Sequence, residues 1–192
     1  MTEKAPSRTA KTPRLYDELL VTLAQSGDRA AADRLARRWH PRLLLAARRY
    51  ANDPGTAEQL TQDCWVAIWR GLNRLRDPSK FAPWAFTILR MKGADTIREQ
   101  VLARTRQGEE EDIIQAATQE NSTLIGHAFA ALPADQRLAA HLHFVEGLTL
   151  REIAEVQGVA IGTAKSRLFH ARRKLKSALG EDTKLTSQGE QA

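Results

Sequence analysis

Cysteine is nearly missing from this chain: Cys64 is the only one in 192 residues. A lone thiol excludes an intramolecular disulfide and fits a reducing compartment. Long apolar runs are missing as well. None approaches the roughly 20 residues that a bilayer-spanning helix needs, so membrane insertion is not expected. The first fourteen residues are polar, include Pro6 and Pro13, and lack the apolar core of a secretory signal. A cytoplasmic protein is expected. Strand-like alternation and internal repeats are also absent, and no constellation for catalysis is visible. His141 and His143, two apart on a helix, point to different faces and make a poor metal pair. Cys64 falls on an apolar stripe, and the carboxylates show no acid–base arrangement. No metal and no cofactor are expected, and the chain does not read as an enzyme.

What the chain does have is positive charge, unevenly placed. Lys and Arg number 29 against 23 Asp and Glu, a net +6, which favours a polyanionic partner because basic groups displace counterions from a phosphate backbone. Residues 1–14 carry four basic groups and one acidic group, as a loose tail does. Residues 15–100 carry 14 and 10 within helical patterns. Residues 101–124 invert the sign, setting Arg104 and Arg106 against Glu109, Glu110, Glu111, Asp112 and Glu120; with Gly108 and small polar residues, this stretch predicts a flexible acidic linker. Residues 125–180 turn basic again, and 181–192 form a polar tail. The expectation is an all-α protein of two small helical domains.

Helical periodicity runs through both. Arg29 to about Trp39 predicts one helix, and Pro41 suits the first turn of the next, to about Tyr50. Asn52-Asp53-Pro54-Gly55 predicts a turn. Thr56 with Gln59 three residues on reads as a capping box, opening a helix to about Leu75 whose apolar stripe is Leu60, Cys64, Ile68 and Leu75. A loop over 76–81 precedes a long helix from Pro83.

The strongest signal lies near the end. Thr149-Leu150-Arg151-Glu152 is a capping box placed just after Gly147, a plausible helix stop. The short helix it opens carries Ile153, Ala154 and Val156 inward, Gly158 supplies a turn, and Val159 and Ile161 are expected to plug the junction. A second helix from Gly162-Thr163 to Leu175 completes a helix-turn-helix, whose second helix enters the major groove. At 100° per residue, Ala164, Leu168, Ala171 and Leu175 share one face, which must be buried. Gly162, Ser166, Phe169, His170 and Arg173 lie opposite, flanked by Thr163, Lys165, Arg167 and Arg172. Residues 160–180 hold six basic groups and no acidic one. Ser166, His170 and Arg173 therefore point toward base edges, and Lys165 and Arg167 toward phosphates.

The runs Gly147-Leu-Thr-Leu-Arg-Glu-Ile-Ala-Glu, Gly158-Val-Ala-Ile-Gly-Thr-Ala-Lys-Ser-Arg-Leu and Ala171-Arg-Arg-Lys-Leu, preceded by Leu132-Pro133, resemble the C-terminal domain of RNA polymerase sigma factors. That domain recognises the −35 promoter element, which the resemblance assigns here to Thr163, Lys165, Ser166, Arg167, His170 and Arg173. Ala57-Glu58-Gln59-Leu60-Thr61-Gln62-Asp63, followed by Trp69, is similar to the helix that binds the polymerase clamp, and implies contact through Gln62 and Asp63. Phe81, Trp84, Ile88, Arg90, Asp95 and Arg98 resemble the segment that melts and reads the −10 element, implying Lys80, Phe81, Arg90, Lys92 and Arg98 as its DNA-binding residues. Two domains joined by about twenty residues point to the extracytoplasmic-function group. The chain departs from the pattern at Gln59, at Met91 and at Glu99-Gln100. The resemblance implies core RNA polymerase and promoter DNA as partners, an anti-sigma factor as a further one, and a linker whose carboxylates imitate phosphates in a polymerase channel. Two rivals remain at this point. A helix-turn-helix regulator acting without polymerase would need an N-terminal ligand or dimerisation domain. A recombinase would need a nucleophilic Ser or Tyr beside a basic cluster, which Tyr16 and Tyr50 lack.

Overall fold

The computed structural model describes residues 8–51, 53–107 and 124–189. They form two compact units, divided between residues 116 and 117, and contain helices and turns without a strand. The acidic run Glu109-Glu110-Glu111-Asp112, Gly108, Glu120 and Asn52 lie outside the described residues.

The first unit contains α1 (Arg8–Gln25), α2 (Arg29–Ala47), α3 (Pro54–Gly71) and α4 (Phe81–Gln107). Helix α1 begins inside the stretch expected to be a tail, and α4 reaches seven residues into the expected linker. Pro41 does not divide the 29–50 region; it sits within a single helix, α2. A proline there removes one backbone hydrogen bond, but Leu35, Trp39, Leu43, Ala46 and Ala47 continue one buried face past it, and that packing holds the helix together. Helix α3 starts two residues before Thr56. Its N-cap is Asp53, whose carboxylate accepts from the Thr56 N–H at 2.9 Å and from the Thr56 hydroxyl, so the capping box expected on Thr56 is replaced by an aspartate cap with Pro54 in the first turn. Those two donors hold the Asp53 carboxyl below the usual carboxylate range. Helix α3 ends at Gly71, and Leu72–Arg74 continue as a 3-10 turn. The side-chain amide of Gln25 donates to the Leu72 and Leu75 carbonyls, both at 2.8 Å, pinning that exit against α1.

Trp39 is the centre of this core, 1% exposed, with Phe81 edge-on at 5.1 Å and Phe86 at 6.0 Å. The Arg42 guanidinium lies 3.7 Å from the Trp39 ring centroid, and Asp17 of α1 pairs with both Arg38 and Arg42. Cys64 is fully buried, its thiol 3.9 Å from the Ala85 carbonyl. Burial pushes the thiol up to about 12, as expected of a core sulfur. Where α4 crosses beneath Tyr50, Gly93 leaves the room: a Cβ there would stand 2.4 Å from the tyrosine ring.

The second unit contains α5 (Leu124–Ala130), α6 (Ala134–Phe144), α7 (Leu150–Gln157) and α8 (Ile161–Gly189). Helix α8 packs on α5, α6 and α7, and it extends through most of the expected C-terminal tail. Arg137 closes α5 by donating to the Ala130 and Leu132 carbonyls at 2.6 and 2.9 Å. The turn after α6 uses Gly147 at φ +67°, with the Leu148 N–H returning to the Leu142 carbonyl at 2.8 Å.

Candidate nucleic-acid interface

Local chemistry builds the helix-turn-helix as its sequence predicts. The Thr149 hydroxyl accepts from the Glu152 N–H at 3.3 Å, and the Glu152 carboxylate accepts from the Thr149 N–H at 2.8 Å: both halves of the capping box are made. Gly158 ends α7 in the left-handed region, φ +65°, a conformation that costs glycine no Cβ clash. The four residues expected to be buried on α8, Ala164, Leu168, Ala171 and Leu175, are all buried. One expectation fails. Ile161 does not plug the junction; it opens α8 and is 49% exposed, while Val159 is half-buried.

On the outer side of α8, Thr163, Lys165, Ser166 and Arg173 are exposed and His170 is half-buried, edge-on to Phe169 at 5.5 Å. Phe169 itself is 62% exposed. The helical projection already set this ring outward, and an apolar ring in that position has no core role, so it belongs with the outward face. Arg172 is exposed and lies over the Phe144 ring at 5.8 Å. Arg167, expected to point toward phosphates, is half-buried. Its guanidinium donates to Gln157 Oε1 at 2.9 Å and pairs with the Asp135 carboxylate.

In the first unit the expected −10 residues differ in exposure. Phe81 is 1% exposed and locked against Trp39, so no base can stack on it; its aromatic character serves the core, and Phe81 leaves the −10 set. Trp84 is half-buried, against Phe81 at 6.1 Å and against Gly71, where a Cβ would stand 2.9 Å from the indole. Lys80 is exposed at the end of a short 3-10 turn, Pro78–Lys80, capped by the Asp77 carboxylate, which accepts from the Ser79 hydroxyl and N–H. The hydroxyl above all keeps the Asp77 carboxyl below its usual range. Arg90 is half-buried, and Arg98 is exposed and paired with Asp95 at 2.9 Å.

Gln62 and Asp63 are both exposed on α3. Asp63 and Lys92 of α4 both line a shallow groove of about 420 Å³, together with Val66, Arg70 and Arg74. Trp69, 38% exposed, stacks on buried Trp65 with centroids 5.1 Å apart. Val66, Trp69 and Arg70 are exposed on the same helix; Val66 stands three and four residues after Asp63 and Gln62, and Trp69 and Arg70 stand three and four residues after Val66, a helical spacing that was the signal for Val66 and Arg70. Among the described residues, no helix is long and apolar enough to cross a membrane.

Comparison with known proteins converges on the same reading. Residues 35–103 match the family described as Sigma-70 region 2, and residues 122–175 match Sigma-70, region 4. Over 184 residues the chain is 26% identical to the RNA polymerase sigma-H factor of Pseudomonas aeruginosa, spanning 85% of this chain and 93% of that protein. Identity to the ECF RNA polymerase sigma-E factor of Escherichia coli K12 is also 26%, over 179 residues, 82% of this chain and 91% of that one. Two solved structures resemble it at 26% identity. CnrH, in complex with the cytosolic domain of CnrY, aligns over 87% of this chain and 99% of that one with a TM-score of 0.60. The sigma factor RpoE from Bartonella quintana, in complex with the anti-sigma factor NepR, aligns over 77% and 96% with a TM-score of 0.63. With both sigma regions matched, in order, on the two helical units just described, this chain belongs to the sigma-70 family, in its extracytoplasmic-function group.

Proposed function

We propose that this sigma factor divides promoter recognition between its units: the first holds core RNA polymerase and engages the −10 element, and the second reads the −35 element. The observation that carries this is the pairing, in one chain, of a capped helix-turn-helix with an outward basic face and of an exposed Gln62–Asp63 surface on α3. On α8, Ser166, His170 and Arg173 face base edges, Phe169 meets a thymine methyl, and Thr163 and Lys165 hold phosphates. On α3, Gln62 and Asp63 contact the polymerase, with Val66, Trp69 and Arg70 extending that face. Lys80, Arg90, Lys92 and Arg98 follow the backbone of the displaced strand, where cations beside a base pocket favour strand capture. The segment joining the units is the linker, and each unit acts as a domain. The polymerase performs the chemistry in the cytoplasm, and this chain, itself without catalysis, supplies the address. An anti-sigma factor is a fitting further partner, because both solved relatives carry a bound partner protein, named as an anti-sigma factor in one of them.

Run-off transcription with purified core polymerase and a promoter library tests the proposal. Discrete start sites that depend on the chain are expected; products identical with and without it would sink the reading.

A further inference from the structure

Three helices of the second unit converge on one guanidinium. Arg167 stands in the second turn of α8. One of its terminal nitrogens donates to Gln157 Oε1 at 2.9 Å, and the other pairs with the carboxylate of Asp135. Gln157 is the last residue of α7, and its amide nitrogen donates to the Asp135 backbone carbonyl at 2.9 Å. Asp135 lies in the first turn of α6. The hydrogen bonds therefore close a ring through α6, α7 and α8, and Gln157 is itself buried. The guanidinium is a rigid planar fork, so engaging both of its ends fixes direction as well as distance. The turn between α7 and α8 is closed by backbone hydrogen bonds from Val159 N–H to the Ala154 carbonyl at 3.0 Å and from Thr163 N–H to the Ala160 carbonyl at 3.0 Å; the Arg167 ring adds side-chain bonds that tie both helices to α6.

We infer that Asp135 and Gln157 are positioning residues for −35 reading: through Arg167 they set the angle at which α8 presents Ser166, His170 and Arg173. This rests on the assignment of those three side chains to base edges. Arg173 lies six residues, roughly 9 Å, beyond Arg167 along the axis. A tilt of ~10° about Arg167 displaces it by roughly 1.5 Å, beyond the ~0.5 Å that a productive site tolerates. Long flexible lysines on phosphates absorb such a shift, so losing the ring removes discrimination before it removes affinity. With its charge already matched by Asp135, Arg167 contributes little counterion release of its own.

The test uses holoenzyme assembled from the full chain and core polymerase, with a duplex library randomised only at the −35 segment. Binding to the preferred and to a scrambled duplex is then measured across salt concentrations. Arg167→Ala and Arg167→Lys are both expected to lower the preference for the selected duplex roughly tenfold, with a salt slope close to wild type. Lysine keeps the charge but loses the fork, so a phosphate role would survive that change and a positioning role does not. Asp135→Asn frees the guanidinium, and is expected to bind the scrambled duplex more tightly, with a slope steeper by about one. Asp135→Glu is expected to restore selectivity. Circular dichroism identifies any variant that fails to fold, and the lysine and glutamate variants then carry the decision. Wild-type selectivity in Arg167→Lys, or an Arg167→Ala variant weakened equally on all sequences with a slope shallower by about one, would overturn the inference while leaving −35 reading intact. A wild-type holoenzyme that selects no −35 sequence would overturn both.

Discussion

Side chains on the outer edge of α8 differ in what they can discriminate. Arg173 and Ser166 are exposed and sit opposite the buried row of Ala164, Leu168, Ala171 and Leu175, so replacing either with alanine should change which −35 sequences holoenzyme selects, by roughly 1–3 kcal/mol for each base pair no longer read. Lys165→Ala should instead weaken all sequences alike and make the salt dependence shallower. Selection from a randomised −35 library separates the two, and an unchanged consensus in Arg173→Ala would refute the assignment of faces. Cys64 makes a prediction of another kind. Its thiol is fully buried and raised to about 12, so at pH 8 it stays protonated and out of reach of alkylating reagents. Iodoacetamide should label it only after denaturation in urea; labelling of the native chain at the rate of a free thiol would show that the α3–α4 core opens.

Helices here are stabilised both by their ends and by their crossings. The capping box of α7 satisfies donors that a helix start otherwise leaves open, so Thr149→Ala should lower the stability of the second unit by about 1 kcal/mol, read as a lower thermal midpoint with helicity retained. Gly93 tests the opposite principle. Alanine inside a helix is ordinarily favoured over glycine by ~1 kcal/mol, yet a Cβ at Gly93 would meet the Tyr50 ring at 2.4 Å. Overpacking of that kind costs about 1–3 kcal/mol, so Gly93→Ala should destabilise the first unit. A rise in its midpoint would mean that Tyr50 moves aside freely.

For the molecule as a whole, the central prediction is that polymerase binding can be separated from folding. Asp63 is exposed and lines two grooves between α3 and α4, and among the described residues its side chain accepts one long hydrogen bond, from Gln59 at 3.4 Å. Asp63→Arg should therefore leave the circular dichroism spectrum unchanged while reducing co-purification with core polymerase. Full co-purification with an intact spectrum would move the polymerase-binding surface elsewhere on the first unit.

Much of the second unit was legible in the sequence because its determinants are local. A capping box spans four residues, a left-handed glycine acts at its own position, and an amphipathic face repeats every three or four residues; Thr149, Gly158 and the Ala164–Leu175 row follow from those rules alone. The same locality explains what was missed in the first unit. Thr56 and Asp53 both have capping chemistry, and which of them begins α3 depends on where Pro54 and the buried face of the helix settle. Pro41 is a local helix breaker, overruled by a face that packs on either side of it. Phe81 resembles a base-stacking aromatic until Trp39, 42 residues earlier in the chain, covers it. Arg167 looks like a phosphate-binding cation until Asp135, 32 residues away, takes its charge. Helix type, the two caps of α7 and the buried face of α8 were thus determined by the sequence itself, through interactions within a turn or two. Whether an aromatic or a cation is available to DNA was decided only by tertiary packing, because burial and ion pairing depend on partners that local periodicity does not specify.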